Sequence, residues 1–283
     1  MKTILVTGAN GQLGQCFQKQ AKKYPNYHFL FCSSKELDIT SKQSLEETFS
    51  EQNIDYFINT AAYTNVEQAE KEKEKAFALN AEAAANIAEI CKKYNATLFH
   101  FSTDYVFNGK TSRPYSETDQ VEPINVYGAS KLKGEENIKS IFDRYFIFRT
   151  SWLYSEFGHN FFNTIRRKAD EKAELNITTS QLGTPTNAND LAEFVLKIIN
   201  SGSEEYGLYH FSDLGEATWY DFAKEILDYS GKIDQVTLNK TGFYKTLAER
   251  PAYSVLSKEK AQHNFGFRIP EWKESLHLLI DEK

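Results

Sequence analysis

Cysteine is scarce in this chain of 283 residues. Cys16, Cys32 and Cys91 are odd in number and far apart, which excludes a disulfide framework and the close pairs of a zinc site. Such usage suits a reducing compartment, and the cytoplasm is the expected location. Positive charge is also in short supply: 33 Lys and Arg stand against 39 Asp and Glu, a formal net charge of -6. A chain built to neutralise phosphodiesters has the opposite balance, so no nucleic acid partner is expected. No apolar run approaches membrane-spanning length, and Ile4-Leu5-Val6 is too brief for the apolar region of a secretion signal, so no membrane association is expected. Solenoid-period repeats and low-complexity tracts are missing as well, and the charge run from Glu67 to Lys75 reads as a solvated helix face.

What the chain does have is length enough for a substantial core and, in its first half, short apolar runs alternating with helical patterns. Strands are expected at Thr3 to Val6, His28 to Cys32, Tyr56 to Asn59, Thr97 to Phe101 and Tyr145 to Phe148. Helices are expected at Gln12 to Lys22, at Lys42 to Glu51 behind a capping box from Thr40 to Gln43, and at Ala69 to Tyr94 with a break near Asn80. Beyond Arg149 the alternation loosens. Helices follow at Phe161 to Lys172, Asp190 to Asn200 and Tyr220 to Tyr229, the last capped by Thr218 and Asp221, with strands at Leu175 to Thr178 and Gly207 to Phe211. The fold class is α/β: a Rossmann-type doubly wound parallel sheet with a smaller α/β substrate-binding lobe. Residues 1–150, with later returns at roughly 185–228, form the expected dinucleotide-binding domain, and residues 151–184 and 229–283 the lobe.

The first strand runs into Thr7-Gly8-Ala9-Asn10-Gly11-Gln12-Leu13-Gly14, and a helix follows. Glycines at Gly8, Gly11 and Gly14 suit a dinucleotide: one for the tight turn, one for the approach of pyrophosphate to backbone amides, one for close helix packing. A glycine triplet alone also occurs in ordinary turns; strand before and helix after are what give it weight. Past the second strand, where a carboxylate would bind the ribose hydroxyls of NAD, stand Ser33, Ser34 and Lys35. Hydroxyls and a cation suit a 2′-phosphate, which favours NADPH, with NADH second because Glu36 is close by. Asp38 and Ile39 are positioned for the adenine edge.

Tyr127 and Lys131 lie four residues apart in a helix expected from Val126 to Ile141, hence on one face. A free tyrosine ionises near pH 10, and a neighbouring ammonium is expected to bring it down toward the useful range. The same spacing decorates many solvated helices. Context supplies the weight, because the fourth strand ends at Thr103, at the carboxyl edge of the sheet where open α/β folds bind ligands.

The glycine loop, Thr103 and the Tyr127/Lys131 pair together resemble the extended short-chain dehydrogenase/reductase family. More narrowly, STDYVFNG (Ser102 to Gly109), NVYGASKLKGE (Asn125 to Glu135), FRTSWLY (Phe148 to Tyr154), GTPT (Gly183 to Thr186) and RPAYS (Arg250 to Ser254) are similar to the dTDP-4-dehydrorhamnose reductase family across essentially the whole chain. The resemblance implies reduction of dTDP-4-dehydro-6-deoxy-L-mannose to dTDP-L-rhamnose, with Tyr127 protonating the alkoxide, Thr103 holding the oxygen and Lys131 also binding the nicotinamide ribose. It places Gly11, Gln12, Leu13, Asp38, Ile39, Ala61, Ala62 and Tyr63 against the cofactor. Val66, Thr103, Asp104 and Trp152 fall to the substrate, and Arg250 to its diphosphate. For Trp152 a core aromatic is an equal alternative, and for Arg250 an ordinary surface charge. No metal is expected, since Gln15 and Asn189 are neutral where acids would help and the six histidines lack ligand spacing. A homodimer is compatible with these features.

Three other functions share parts of this pattern. Dehydratases of this fold carry an Asp-Glu pair after the threonine, whereas Asp104 is followed by Tyr105, and an epimerase would consume no NADPH. A non-catalytic subunit of the kind that regulates methionine adenosyltransferase has no need of Thr103, Tyr127 and Lys131 together.

Overall fold

A computed structural model describes residues 1–242 and 245–282. Strands β1 (Lys2–Thr7), β2 (Tyr27–Cys32), β3 (Tyr56–Asn59) and β4 (Thr97–Thr103) are each followed by helical chain, and β5 (Tyr145–Thr150) completes this first run of the sheet. Four short strands come next: β6 (Leu153–Tyr154), β7 (Glu174–Thr178), β8 (Leu182–Gly183) and β9 (Thr186–Asn187). After them β10 (Gly207–His210) returns to the main sheet, whose order is β10-β5-β4-β3-β1-β2 with every pairing parallel. The direction of winding reverses between β1 and β3, and a crevice opens above the carboxyl ends of strands at such a point.

Both faces of the sheet are covered, which is why its strands read as near-continuous apolar runs. Ile4, Val6, Ile58, Phe99, Phe146 and Phe148 pack on one side against α1 (Gln12–Ala21) and, from further along the chain, the helix over Ala188–Ser201. Leu5, Phe57, Leu98 and Ile147 pack on the other, against α2 (Lys42–Glu51) and the helices that follow it. The Ala69 to Tyr94 stretch is broken further than its alanine content implies. It comprises α3 (Val66–Ala69), α4 (Lys73–Phe77), a π-turn at Ala78–Glu82 and α5 (Ala83–Tyr94). The π-turn presents Asn80, whose amide donates to the Tyr63 carbonyl and the Ser130 hydroxyl and whose oxygen accepts from the Tyr63 N–H. Ser130 belongs to α6 (Val126–Ile141), the helix that carries Tyr127 and Lys131; Asn125 caps it by accepting from Gly128 N at 2.8 Å.

Two caps test the local signals. Thr218 and Asp221 form the expected reciprocal box. At α2 the cap is Ser41, accepting from Ser44 N, while the Thr40 hydroxyl donates to Asp38; the expected box is one residue out because Asp38 competes for Thr40.

A third apolar cluster forms the lobe: α7 (Phe161–Asp170) packs with α9 (Trp219–Tyr229) and α11 (Trp272–Asp281), while α8 (Ala188–Ser201) stays on the sheet. Strand β7 pairs with β12 (Thr237–Thr241), and β8 with β11 (Ala217–Thr218). The packing is finer than a division by sequence: α9 sides with the lobe, whereas Ala261 and Phe265 of α10 (Glu259–Phe265) pack on the sheet cluster. No helix among the described residues is long and apolar enough to cross a membrane.

Candidate active site

The crevice at the switch point is a cleft of about 470 Å³ whose wall runs from the glycine loop to the lobe. Gly8 has φ +68°, a left-handed conformation that a side chain resists, and its carbonyl accepts from Gly11 N at 2.8 Å to close the turn. A Cβ on Gly14 would collide with that same carbonyl. No side chain caps α1, so its first amides are left to an anion. These features fit the pyrophosphate of a dinucleotide. Gly11, Gln12 and Leu13 line the cleft floor, and the Gln12 amide oxygen accepts from Asn160 at 2.7 Å, joining the loop to the lobe.

Of the other residues expected at the cofactor, Ala62 and Lys131 line the cleft. Ser34 and Lys35 form an exposed turn just past β2, and the Glu36 carboxylate is turned back onto Ser33 N at 2.7 Å. Asp38 is exposed with its carboxylate on Thr40, whereas Ile39 is buried in the core with Leu37. Ala61 N–H donates to the Asn59 side chain, and the Tyr63 hydroxyl is held by Glu72 at 3.0 Å. Ser33, Ser34, Lys35, Asp38, Ile39, Ala61 and Tyr63 therefore do not line this cleft.

On the opposite wall stand Val66, Thr103, Asp104, Tyr127 and Trp152. Thr103 ends β4, and its hydroxyl donates to Asp104 at 3.0 Å while accepting from Tyr105 N at 3.1 Å. Burial pushes the Asp104 carboxyl up to about 7 against the pull of the Ser254 and Thr103 hydroxyls, and its second oxygen is buried with no close hydrogen bond among the described residues. Tyr127 does not behave as the sequence implies. Burial pushes its phenol up to about 12, the Thr103 hydroxyl draws it down, and the Asp104 charge adds to the rise. Desolvation outweighs the help expected from Lys131, because Lys131 is itself buried and its ammonium is brought down to about 8 against the pull of Glu135.

The aromatic wall is a tertiary construction. Trp152 has φ +45° and stacks on Trp219 with ring centroids 3.7 Å apart, and Phe161 leans on Trp219 at 4.7 Å. Trp152 is thus neither a plain core aromatic nor a free sugar platform; one face is already taken. Arg250 is outside the cleft lining, bound to Glu67 at 2.8 Å. Sequence inspection missed His100, Asn160, Phe161 and Trp219. His100 had a signal, since a polar residue interrupts the buried run Leu98-Phe99-His100-Phe101; the others gave none.

Measured against known proteins, all 283 residues match the family model for the RmlD substrate binding domain. The chain belongs to this family. It is 39% identical to the spore coat polysaccharide biosynthesis protein SpsK of Bacillus subtilis, covering 100% of this chain and 98% of that one. It is 37% identical to the dTDP-4-dehydrorhamnose reductase of Aggregatibacter actinomycetemcomitans, covering 98% and 97%. Among solved structures, the Bacillus anthracis dTDP-4-dehydrorhamnose reductase in complex with NADP superposes with a TM-score of 0.95 at 37% identity, over the whole of both chains. Family membership therefore extends over the glycine loop, the cleft and the lobe alike.

Proposed function

We propose that this chain catalyses the NADPH-dependent reduction of the C4 ketone of dTDP-4-dehydro-6-deoxy-L-mannose to dTDP-L-rhamnose. The observation that carries it is the meeting of Thr103, Tyr127 and Lys131 in one cleft continuous with the glycine loop, in a chain of this family. NADPH supplies the hydride; NADH is the second choice. The uncapped start of α1 would hold the pyrophosphate, and Ser34 with Lys35 the 2′-phosphate.

Tyr127 is fully protonated at neutral pH, as an acid catalyst for a reduction must be, and donates to the oxygen emerging at C4. Thr103 has a single hydroxyl proton, shared between Asp104 and the reacting oxygens, so it can turn to the substrate as charge develops there. The second Asp104 oxygen, which has the Ser254 hydroxyl as its neighbour, is placed to accept a sugar hydroxyl as well. Trp152, braced by Trp219, closes the substrate end, and Arg250 would have to leave Glu67 to meet a diphosphate. Residues 1–150 with α8 and β10 form the dinucleotide half of this proposal, and the α7, α9 and α11 cluster the substrate lobe. Three unpaired cysteines, two of them buried, suit the cytoplasm. Assembly as a homodimer remains part of the proposal, to be read from sedimentation velocity.

The decisive assay supplies purified protein with that sugar nucleotide and NADPH. Stoichiometric NADPH loss with formation of dTDP-L-rhamnose is expected. An epimerised product with no NADPH consumed would refute the reaction.

A further inference from the structure

Among the described residues Lys131 meets no acid at bonding distance; its polar contact there is His100 of β4, Nζ to Nε2, at 3.5 Å. His100 is buried to 2% exposure, and its other ring nitrogen, Nδ1, lies 3.2 Å from the side-chain nitrogen of Asn59, its register partner on β3. The orientation of Asn59 is fixed from behind. Its Oδ1 accepts from the Thr7 hydroxyl at 2.9 Å and from the Ala61 backbone N–H at 3.2 Å, and a backbone N–H can only donate. The Asn59 amide nitrogen must therefore face the imidazole, Nδ1 must accept, and the proton of a neutral ring sits on Nε2, aimed at Lys131.

An ammonium has three donors and no acceptor. Facing an Nε2–H it gains nothing, whereas the neutral amine accepts that hydrogen bond. We propose that His100, locked by Asn59 as its Nε2–H tautomer, is a positioning residue that weakens the Lys131 ammonium and readies it to give up a proton. After Tyr127 has protonated the C4 oxygen, the phenolate takes a proton from Lys131, the amine so formed accepts from Nε2–H, and solvent in the cleft restores the ammonium. This rests on the proton-handling roles given above to Tyr127 and Lys131.

The surrounding charges agree. Tyr127 and Glu135 flank Lys131 on its own helix, Arg149 of β5 neutralises Glu135 at 2.7 Å, and Asp104 acts on Tyr127 from beyond β4. Burial and then the Lys131 charge hold His100 well below its usual 6.5, so the ring stays neutral throughout the working range.

The test has two arms. Nitrogen-15 spectra of histidine-labelled wild-type protein, with His100 assigned by difference from His100→Gln, are expected to show a neutral Nε2–H ring from about pH 6 to 9. In His100→Gln, a side-chain oxygen can accept from the ammonium, so the basic limb of the kcat/KM profile should move up by about one pH unit. A residue that merely packs would lower kcat evenly and leave the limb in place. That result, or an Nδ1–H or charged ring in the wild-type spectrum, overturns the proposal; should His100→Gln fail to fold, His100 is assigned in the wild-type protein by nuclear Overhauser contacts between its ring and the Asn59 side-chain amide. Failure of the parent assignment is read separately, as wild-type-like turnover in Tyr127→Phe.

Discussion

Lys131 and Glu135 are two buried charges one turn apart on α6, and the protein treats them in opposite ways. Burial would push the Glu135 carboxyl up, but a two-pronged bond from Arg149, at 2.9 and 2.7 Å, together with Lys139 and the Ser102 hydroxyl, holds it below the usual carboxylate range. Lys131 is equally buried and, among the described residues, has only His100 at hydrogen-bond distance, so burial weakens its ammonium. A fully paired buried charge resists titration and fixes structure; an underpaired one stays near its titration point and is available for chemistry. Glu135 thus joins α6, β4 and β5 behind the site, and Lys131 is the group the site can use.

The sharpest way to break this contrast is to remove one partner of the paired charge. Glu135→Ala strands Arg149 in the core and should lose about 3–5 kcal/mol of stability in denaturant melts, far more than a surface substitution. Tyr127→Phe should keep its fold and cofactor affinity while kcat falls about 10²–10⁴-fold. Lys131→Met should also lose turnover, yet stability at pH 7 should hold or rise by about 1–3 kcal/mol, because an underpaired buried cation is removed. The sign is checkable. A lysine brought down to about 8 in the folded chain from an ordinary 10.5 costs stability below pH 8, and the cost disappears as pH rises through that interval. The stability difference between Lys131→Met and wild type should therefore shrink from pH 8 toward pH 10; a constant difference would mean that Lys131 is not the group titrating. The smallest effect expected is on cofactor choice, where Ser34→Asp should shift the NADPH to NADH ratio of kcat/KM about tenfold toward NADH.

How much of this was legible follows from range along the chain. The glycine loop lies within eight consecutive residues, and Tyr127 and Lys131 within five, so local geometry carries both. Helix α6 and strand β3 have the ends read from the sequence, Val126–Ile141 and Tyr56–Asn59, because caps and apolar periodicity mark them. The π-turn at Asn80 was read only as a break, since what stabilises it are contacts to Tyr63 and to Ser130 on another helix. Trp219 is far from Trp152 in sequence, and the stack between them has no local signature.

The sequence by itself determined the order of elements, the doubly wound sheet and the presence of a phenol and an ammonium on one helical face, because each depends on spacing and sign of charge over one or two turns. The tertiary structure alone decided the protonation character of that pair. Desolvation and donor orientation are set by β3, β4 and the lobe, and they raise Tyr127, lower Lys131 and turn His100 from an apparent packing residue into the neighbour that Lys131 must titrate against.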